Sequence, residues 1–116
     1  MSIRPIIKYS KNDTGPSLIF IFYRTNAAGT RSAVDITGAT VVATVKQEYL
    51  TTSKFQNTCT NTDPTNGKTR LDFVAGDWDT AGNFAMEIEI TYSGGQIETA
   101  PVFPLIEVTN EFPDPV

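Results

Sequence analysis

The run NFAMEIEITY, residues 83–92, constrains the fold of this chain more than any other stretch. Large apolar residues alternate there with small or polar ones, at Phe84, Met86, Ile88, Ile90 and Tyr92. A period of two indicates a strand with one buried face and one wet face. The following SGG, residues 93–95, supplies glycines for the positive φ of a tight turn, after which QIET can return as a second strand. The sequence therefore predicts an antiparallel hairpin here.

Six shorter stretches carry strand signals of the same kind. They are RPIIKY (4–9), SLIFIFY (17–23), ATVVATVKQ (39–47), KFQNTCT (54–60), KTRLDFV (68–74) and FPLIEVTN (103–110). SLIFIFY is apolar on both faces, which predicts a central strand. The turn dipeptides Asp63-Pro64 and Asn66-Gly67 predict that KFQNTCT and KTRLDFV pair with each other.

These signals together predict an all-β fold, an antiparallel immunoglobulin-like β-sandwich of seven to eight strands. The 116 residues suit one domain, with the sandwich over residues 1–110 and EFPDPV, residues 111–116, as an extended C-terminal arm. Pro101 and Pro104 cannot donate to a strand ladder, so the last strand is expected at an edge or after Pro104.

Composition excludes several classes of function. A net charge of −4, with scattered Lys and Arg, argues against nucleic-acid partners and anionic membranes. The N-terminal MSIRPIIKYS lacks the apolar core of a signal peptide, and no stretch approaches the ~20 apolar residues of a membrane span. With no histidine and only Cys59, the chain lacks a Ser-His-Asp triad, a zinc ligand set and a partner for a thiol nucleophile. The prediction is no catalytic, cofactor-binding or metal-binding residue, and no cofactor.

Two pairs of carboxylates are the strongest candidates for a metal-binding or catalytic site. Asp77 and Asp79 frame Trp78 and could give two oxygens to Ca²⁺, but the rest of a calcium loop is absent. We interpret them as loop-stabilising residues beside a packed Trp78. Glu87 and Glu89 lie on the polar face of the predicted strand, where a solvated face is favoured over a glycosidase pair.

Aromatic residues offer a further kind of site, because exposed rings on a β-sandwich can bind sugars. The candidates are Tyr9, Tyr23, Tyr49, Phe55 and Trp78, and packing in the core is the favoured interpretation for each.

The stretch DITGATVVATV begins with polar residues that precede an apolar strand. Asp35 and Thr37 suit side-chain hydrogen bonds in a turn, Gly38 permits a bend, and Ile36 is expected in the core. This stretch therefore predicts the start of a strand and no reacting group.

The order of these motifs resembles one family of phage proteins. KYSKNDTG, SLIFIFY, DITGATVVATV, DPTNG, GNFAMEIEITYSGG and FPLIEVTN follow one another as in the N-terminal immunoglobulin-like domain of the bacteriophage baseplate upper protein and its stand-alone relatives. The resemblance covers about residues 5–110.

The resemblance implies a role in assembly. We expect a non-enzymatic bacteriophage virion structural protein, either a capsid decoration protein or a small tail or baseplate component, located in the virion. Its expected partners are other virion proteins, with a homo-oligomer also allowed, and the arm residues Phe112, Pro113, Pro115 and Val116 are the candidate contacts. The alternative is a carbohydrate- or receptor-binding β-sandwich module.

Overall fold

The computed structural model describes residues 6–48 and 52–109, and strands dominate them. The strands are β1 (Ile6–Ser10), β2 (Leu18–Ile21), β3 (Tyr23–Thr25), β4 (Arg31–Ala33), β5 (Thr40–Gln47), β6 (Ser53–Thr58), β7 (Thr60–Asp63), β8 (Lys68–Leu71), β9 (Gly82–Thr91) and β10 (Ile97–Thr109). The helical content of the described residues is one 3₁₀ turn, Pro64–Asn66.

The strands form two main sheets and a small hairpin. The larger sheet has the order β1-β10-β9-β5-β6, the smaller one β2-β8-β7, and β3 pairs with β4. Neighbouring strands are antiparallel except β1 and β10, which are parallel. β2 and β3 are successive parts of one extended stretch, as are β6 and β7, so the ten strands make up eight extended stretches. The predicted all-β, immunoglobulin-like sandwich is confirmed.

The hydrophobic core lies between the sheets and follows the predicted alternation. In β9, Phe84, Met86, Ile88 and Ile90 are buried, while the glutamates between them are exposed. The neighbouring β5 contributes three more buried side chains at alternate positions, Val41, Ala43 and Val45. Burial of each larger apolar side chain stabilises the fold by roughly 1.5–3 kcal/mol, so this pair of strands contributes a large share of the stability.

An aromatic cluster around Trp78 closes one end of the sandwich. Trp78 is fully buried, and its ring contacts those of Tyr9, Phe55, Phe73 and Phe84 with centroids 5.0–5.4 Å apart. Tyr9 belongs to β1 and Phe55 to β6, which are the two outer strands of the larger sheet. The cluster therefore spans the full width of that sheet.

Tyr9 also anchors the segment that leads from β1 to β2. Its hydroxyl donates a hydrogen bond to the carbonyl oxygen of Pro16 (3.0 Å). Burial, assisted by the charge of Asp13, raises the pKa of Tyr9 to about 12, so the phenol stays protonated at any physiological pH. The Lys11 N–H donates to the Thr109 carbonyl (2.7 Å), which extends the contact between β1 and β10.

The prediction that SLIFIFY forms a central strand is wrong. β2 is an outer strand of the smaller sheet and pairs with β8 alone. Its preceding strand, β1, lies in the other sheet beside β10, so no described strand covers the second side of β2. Leu18 and Phe20 point towards the core, whereas Ile19 and Ile21 are exposed.

The predicted pairing across the turn at residues 63–67 is half confirmed. β7 pairs with β8 around the 3₁₀ turn, as expected. The preceding β6 instead pairs with β5 in the larger sheet. The chain changes sheets at the buried Cys59, whose N–H donates to the Val41 carbonyl (2.8 Å).

The last strand, β10, is unpaired on one side over the part that contains its prolines. β10 pairs with β9 along most of its length, with a register shift between Val102 and Ile106. On its other side β1 begins opposite Leu105, directly after Pro104. Among the described residues the first half of β10 is therefore an edge. β10 lies between two neighbouring strands only after Pro104.

Gly67 permits a close approach of three backbone segments, and its replacement tests that packing. Its φ is +72°, and an added Cβ would lie 2.7 Å from the Phe22 carbonyl oxygen and 2.8 Å from that of Val34. Gly76 has a similar φ of +93° but open space around it. We expect Gly76→Ala to cost about 1–2 kcal/mol from backbone strain alone, and Gly67→Ala a further ~1–3 kcal/mol from overpacking. Urea unfolding measures both, and equal losses would contradict the close approach.

Candidate docking edge

The residues predicted as partner contacts are not among those that the structure describes. Phe112, Pro113, Pro115 and Val116 all belong to residues 110–116, which lie outside the described ranges. Their role stays a prediction.

Asp77 and Asp79 have separate structural roles. Oδ2 of the buried Asp77 accepts hydrogen bonds from the Asn57 amide (2.9 Å) and the Val74 N–H (2.8 Å). Asp79 is exposed and forms a salt bridge with Lys54 (2.5 Å), and this bond, together with one from Thr80, lowers the pKa of Asp79. Within residues 6–48 and 52–109, no group of three or more acidic or cysteine side chains is placed to hold a metal ion.

Glu87 and Glu89 lie on the outer face of the larger sheet. Both are exposed, and in the register of the sheet they lie opposite Thr44 and Val42 of β5. This is the solvated strand face that the sequence predicted.

Most of the candidate sugar-binding aromatics are packed inside the molecule. Tyr9 and Trp78 are buried and Phe55 is partly buried in the aromatic cluster. Tyr49 lies outside the described residues, and Tyr23 is 50% exposed. The aromatic candidates that the structure describes therefore do not form one exposed platform.

The stretch that begins at Asp35 starts a strand, as predicted. The Asp35 carboxylate accepts from the N–H and the hydroxyl of Thr37 (2.9 and 2.6 Å), and these bonds lower its pKa. Ile36 is fully buried between the two exposed polar residues, and Gly38 has a φ of +76°. This is a turn that leads into β5.

Cys59 is a buried thiol. It is 8% exposed, and burial raises its pKa to about 11. A thiol with so little thiolate at neutral pH is a poor nucleophile.

Strands β2 and β3 have an unpaired side to which none of these structural roles applies. The Phe22 N–H donates to the Gly67 carbonyl (3.0 Å), and the Phe22 carbonyl accepts from the Val34 N–H (2.9 Å). Since the N–H and C=O of one strand residue point to the same side, β8 and β4 lie on the same side of residues 18–25. The opposite side has no paired strand among the described residues.

The backbone groups on that open side belong to the odd-numbered residues, because those of Phe22 point towards β8 and β4. The same odd-numbered residues place large apolar side chains on the outer face. Ile19 is 54% exposed, Ile21 44% and Tyr23 50%. We call this combination of open backbone and apolar side chains at residues 18–25 the docking edge.

Natural proteins usually protect an outer strand with lysine, proline or a bulge. Residues 18–23, LIFIFY, contain neither a charge nor a proline. They present the features of a strand on which a second strand can pair, with hydrogen bonds from the backbone and contacts from alternate side chains.

Cations border the apolar row of the docking edge. In the register of the sheet Arg70 lies opposite Ile19, and Lys68 opposite Ile21. The guanidinium of Arg31 lies over the ring of Tyr23, 5.0 Å from its centroid.

Two acidic side chains offset part of this positive charge. Arg70 pairs with Asp72 (2.9 Å), which also accepts from Ser17. Asp63, opposite Lys68, accepts a hydrogen bond from Asn66 (2.9 Å).

A salt bridge supports the far end of the docking edge. Arg24, on the face opposite Tyr23, pairs with Glu98 of β10, and the Tyr92 hydroxyl also donates to Glu98. These bonds lower the pKa of Glu98, with that from Arg24 the largest cause. The β3–β4 hairpin is thereby tied to the larger sheet.

The sequence contains only part of the signal for this edge. The apolar character of residues 17–23 is evident, but a strand that is apolar on both faces is typical of a sheet centre. The position of β2 depends on β1, whose pairing with β10 has no local signature.

This chain was compared with known proteins and solved structures. No protein-family model matches this chain. No curated protein matches it either. A solved structure titled "Structure or murine CRIg", from mouse, is similar with a TM-score of 0.39 and 8% identity over 95% of this chain and 96% of that one. The described residues contain no helix long and apolar enough to cross a membrane.

The two aspartates beside Trp78 give a matched test of their roles. Asp77→Ala removes the acceptor of two hydrogen bonds and leaves the Asn57 amide and the Val74 N–H without it. We expect a loss of about 1–3 kcal/mol in the free energy of unfolding. Asp79→Ala should have a much smaller effect, because its salt bridge is exposed. Chemical denaturation at pH 7 compares them, and a larger loss for Asp79→Ala would contradict this assignment.

The buried thiol predicts slow labelling. At pH 8, Ellman's reagent should modify Cys59 of the native chain on the order of 100-fold more slowly than in guanidinium, because its raised pKa leaves little thiolate. The unfolded chain serves as the control for reagent and pH. Equal rates in the two states would show an accessible, ionised thiol and contradict the burial of Cys59.

Proposed function

We propose that this chain is a non-enzymatic structural module of a bacteriophage virion, either a capsid decoration protein or a small tail or baseplate component. It acts by packing against neighbouring virion proteins and is located in the assembled particle. The docking edge carries the proposal.

The docking edge favours a protein partner. A strand of a second protein can satisfy its open backbone groups and cover its apolar side chains in one step. Left open, such an edge is an aggregation hazard, so its unprotected apolar row fits a surface that is covered in an assembly.

The motif order over residues 5–110 supports the setting in a virion. Its resemblance to the baseplate upper protein family includes SLIFIFY, which contains the docking edge. A sandwich with an unprotected apolar edge suits a particle in which each copy takes a defined position.

A carbohydrate- or receptor-binding module is the alternative, and it has less support. Sugar binding on a sandwich uses exposed aromatic rings, and Tyr23 is the most exposed of the candidates within the described residues. Arg31 already covers one face of that ring.

Immunogold labelling of purified particles tests the proposal. An antibody against this chain should label either the head, as for a decoration protein, or the tail and its tip, as for a tail or baseplate component. Particles without any label would overturn the virion role.

A substitution in the docking edge tests its use in the particle. Ile21→Lys should lower the amount of this chain per particle by more than about tenfold, because a buried ammonium in the interface is unfavourable. Ile97→Lys, at an apolar residue that is 60% exposed elsewhere, is the matched control and should incorporate normally. Quantitative mass spectrometry of particles from a phage carrying each variant gives the ratio, and thermal melting confirms folding. Normal incorporation of Ile21→Lys would show that another surface attaches the chain.

A further inference from the structure

We propose that the partner of the docking edge is residues 110–116 of a second copy of this chain, which pair with β2 and β3 as an added strand. The inference rests on the proposed function, since it names the partner of the same edge. It depends on the match between what the edge requires and what this segment contains.

The edge sets two requirements for its partner. The partner must be extended, so that its backbone can pair with the odd-numbered residues of 18–25. It must contribute apolar side chains that cover Ile19 and Ile21. Negative charge on its outer face would also favour binding, because Lys68 of β8 and Arg31 of β4 lie on that face beyond Ile21 and Tyr23 and form no salt bridge within the described residues.

The segment NEFPDPV, residues 110–116, supplies such side chains and such charge. In an extended strand the apolar Phe112 and Val116 share one face with the acidic Asp114, whereas Glu111 lies on the other face, and the segment contains no lysine or arginine. Negative charge on this segment complements Lys68 and Arg31 on the outer face beside the docking edge.

The spacing of its prolines makes this segment suitable as a terminal strand. Pro113 and Pro115 are two residues apart, so in an extended strand both ring nitrogens lie on the same side. The N–H groups of Phe112, Asp114 and Val116 then lie on the other side and can pair with the edge. The proline side cannot donate to a further strand, so the sheet would gain one strand and stop there.

The position where β10 ends favours a second copy over the chain's own segment. Thr109 lies in the larger sheet beside β1, whereas the docking edge belongs to the smaller sheet. The two sheets of a sandwich are about 10 Å apart, so a crossing uses roughly three extended residues. Residues 110–112 would be spent on that crossing and Phe112 would not reach the apolar row. A second copy needs no such crossing.

The contact joins two different surfaces, the segment of one copy and the edge of another. It is therefore heterologous, and it closes as a reciprocal dimer or a ring or continues as a chain of copies. This property provides the test, because the two surfaces can be disabled in separate molecules.

Sedimentation velocity on the full-length chain, from about 1 µM to about 1 mM, measures association. We expect the wild type to associate as concentration rises, and the edge variant Ile21→Glu and the segment variant Phe112→Ser each to remain monomeric. An equimolar mixture of the two variants should form heterodimers, because each supplies the surface that the other lacks. Ile97→Glu should associate as the wild type does.

Two further measurements support the same test. A synthetic peptide of residues 109–116 should bind Phe112→Ser, and its affinity should fall with added salt and with Lys68→Glu, because ion pairs contribute to the contact. Circular dichroism and thermal melting of each variant check that it is folded.

Three results would overturn the inference. They are a wild type that stays monomeric throughout, a Phe112→Ser variant that associates as the wild type does, and a mixture of variants that forms no heterodimer. The second result would point to direct pairing between two docking edges. Loss of Ile21→Lys from particles together with a monomeric wild type would retain the proposed function with another virion protein as the partner. Arm-dependent association in solution with no label on particles would retain the inference and remove the proposed function.

Discussion

The stacking of Tyr9 on Trp78 determines how the two sheets of this sandwich are completed. The rings lie 5.4 Å apart and 17° from parallel, and the Tyr9 hydroxyl is bonded to Pro16. These contacts fix the position of β1, whose backbone pairs with β10 in the larger sheet. A strand that is used there cannot also cover β2, so the docking edge is a direct consequence of the aromatic packing at the end of the sandwich.

The polar residues that the sequence offers as candidates for a catalytic or metal-binding site stabilise loops and turns instead. The Asp35 carboxylate closes the turn before β5, and Asp77 bonds two segments beside Trp78. Glu87 and Glu89 lie on the solvent-exposed face of β9. The outer strand β2–β3, with its apolar row and open backbone, has no such role within the described residues.

An open apolar edge and a net negative charge are compatible in one small protein because they act over different distances. The charge of −4 opposes non-specific association between copies at long range. At short range Arg31 and Lys68, on the outer face beside the docking edge, make it attractive to an acidic, extended segment. Such an arrangement selects the partner by charge and holds it by backbone pairing and apolar contact.

The strands and their buried faces can be predicted from local sequence, whereas the positions of those strands in the sheets cannot. Alternation in residues 83–92 predicts which side chains of β9 are buried, because a strand turns successive residues to opposite faces. Likewise, Asp35, Ile36 and Thr37 predict their turn from hydrogen bonding between neighbours. By contrast, the apolar pattern of residues 17–23 is the same for a central strand and an edge strand. The outcome there depends on β1, which pairs with the distant β10 in a core that packs around Trp78, so the docking edge emerges only in the folded chain.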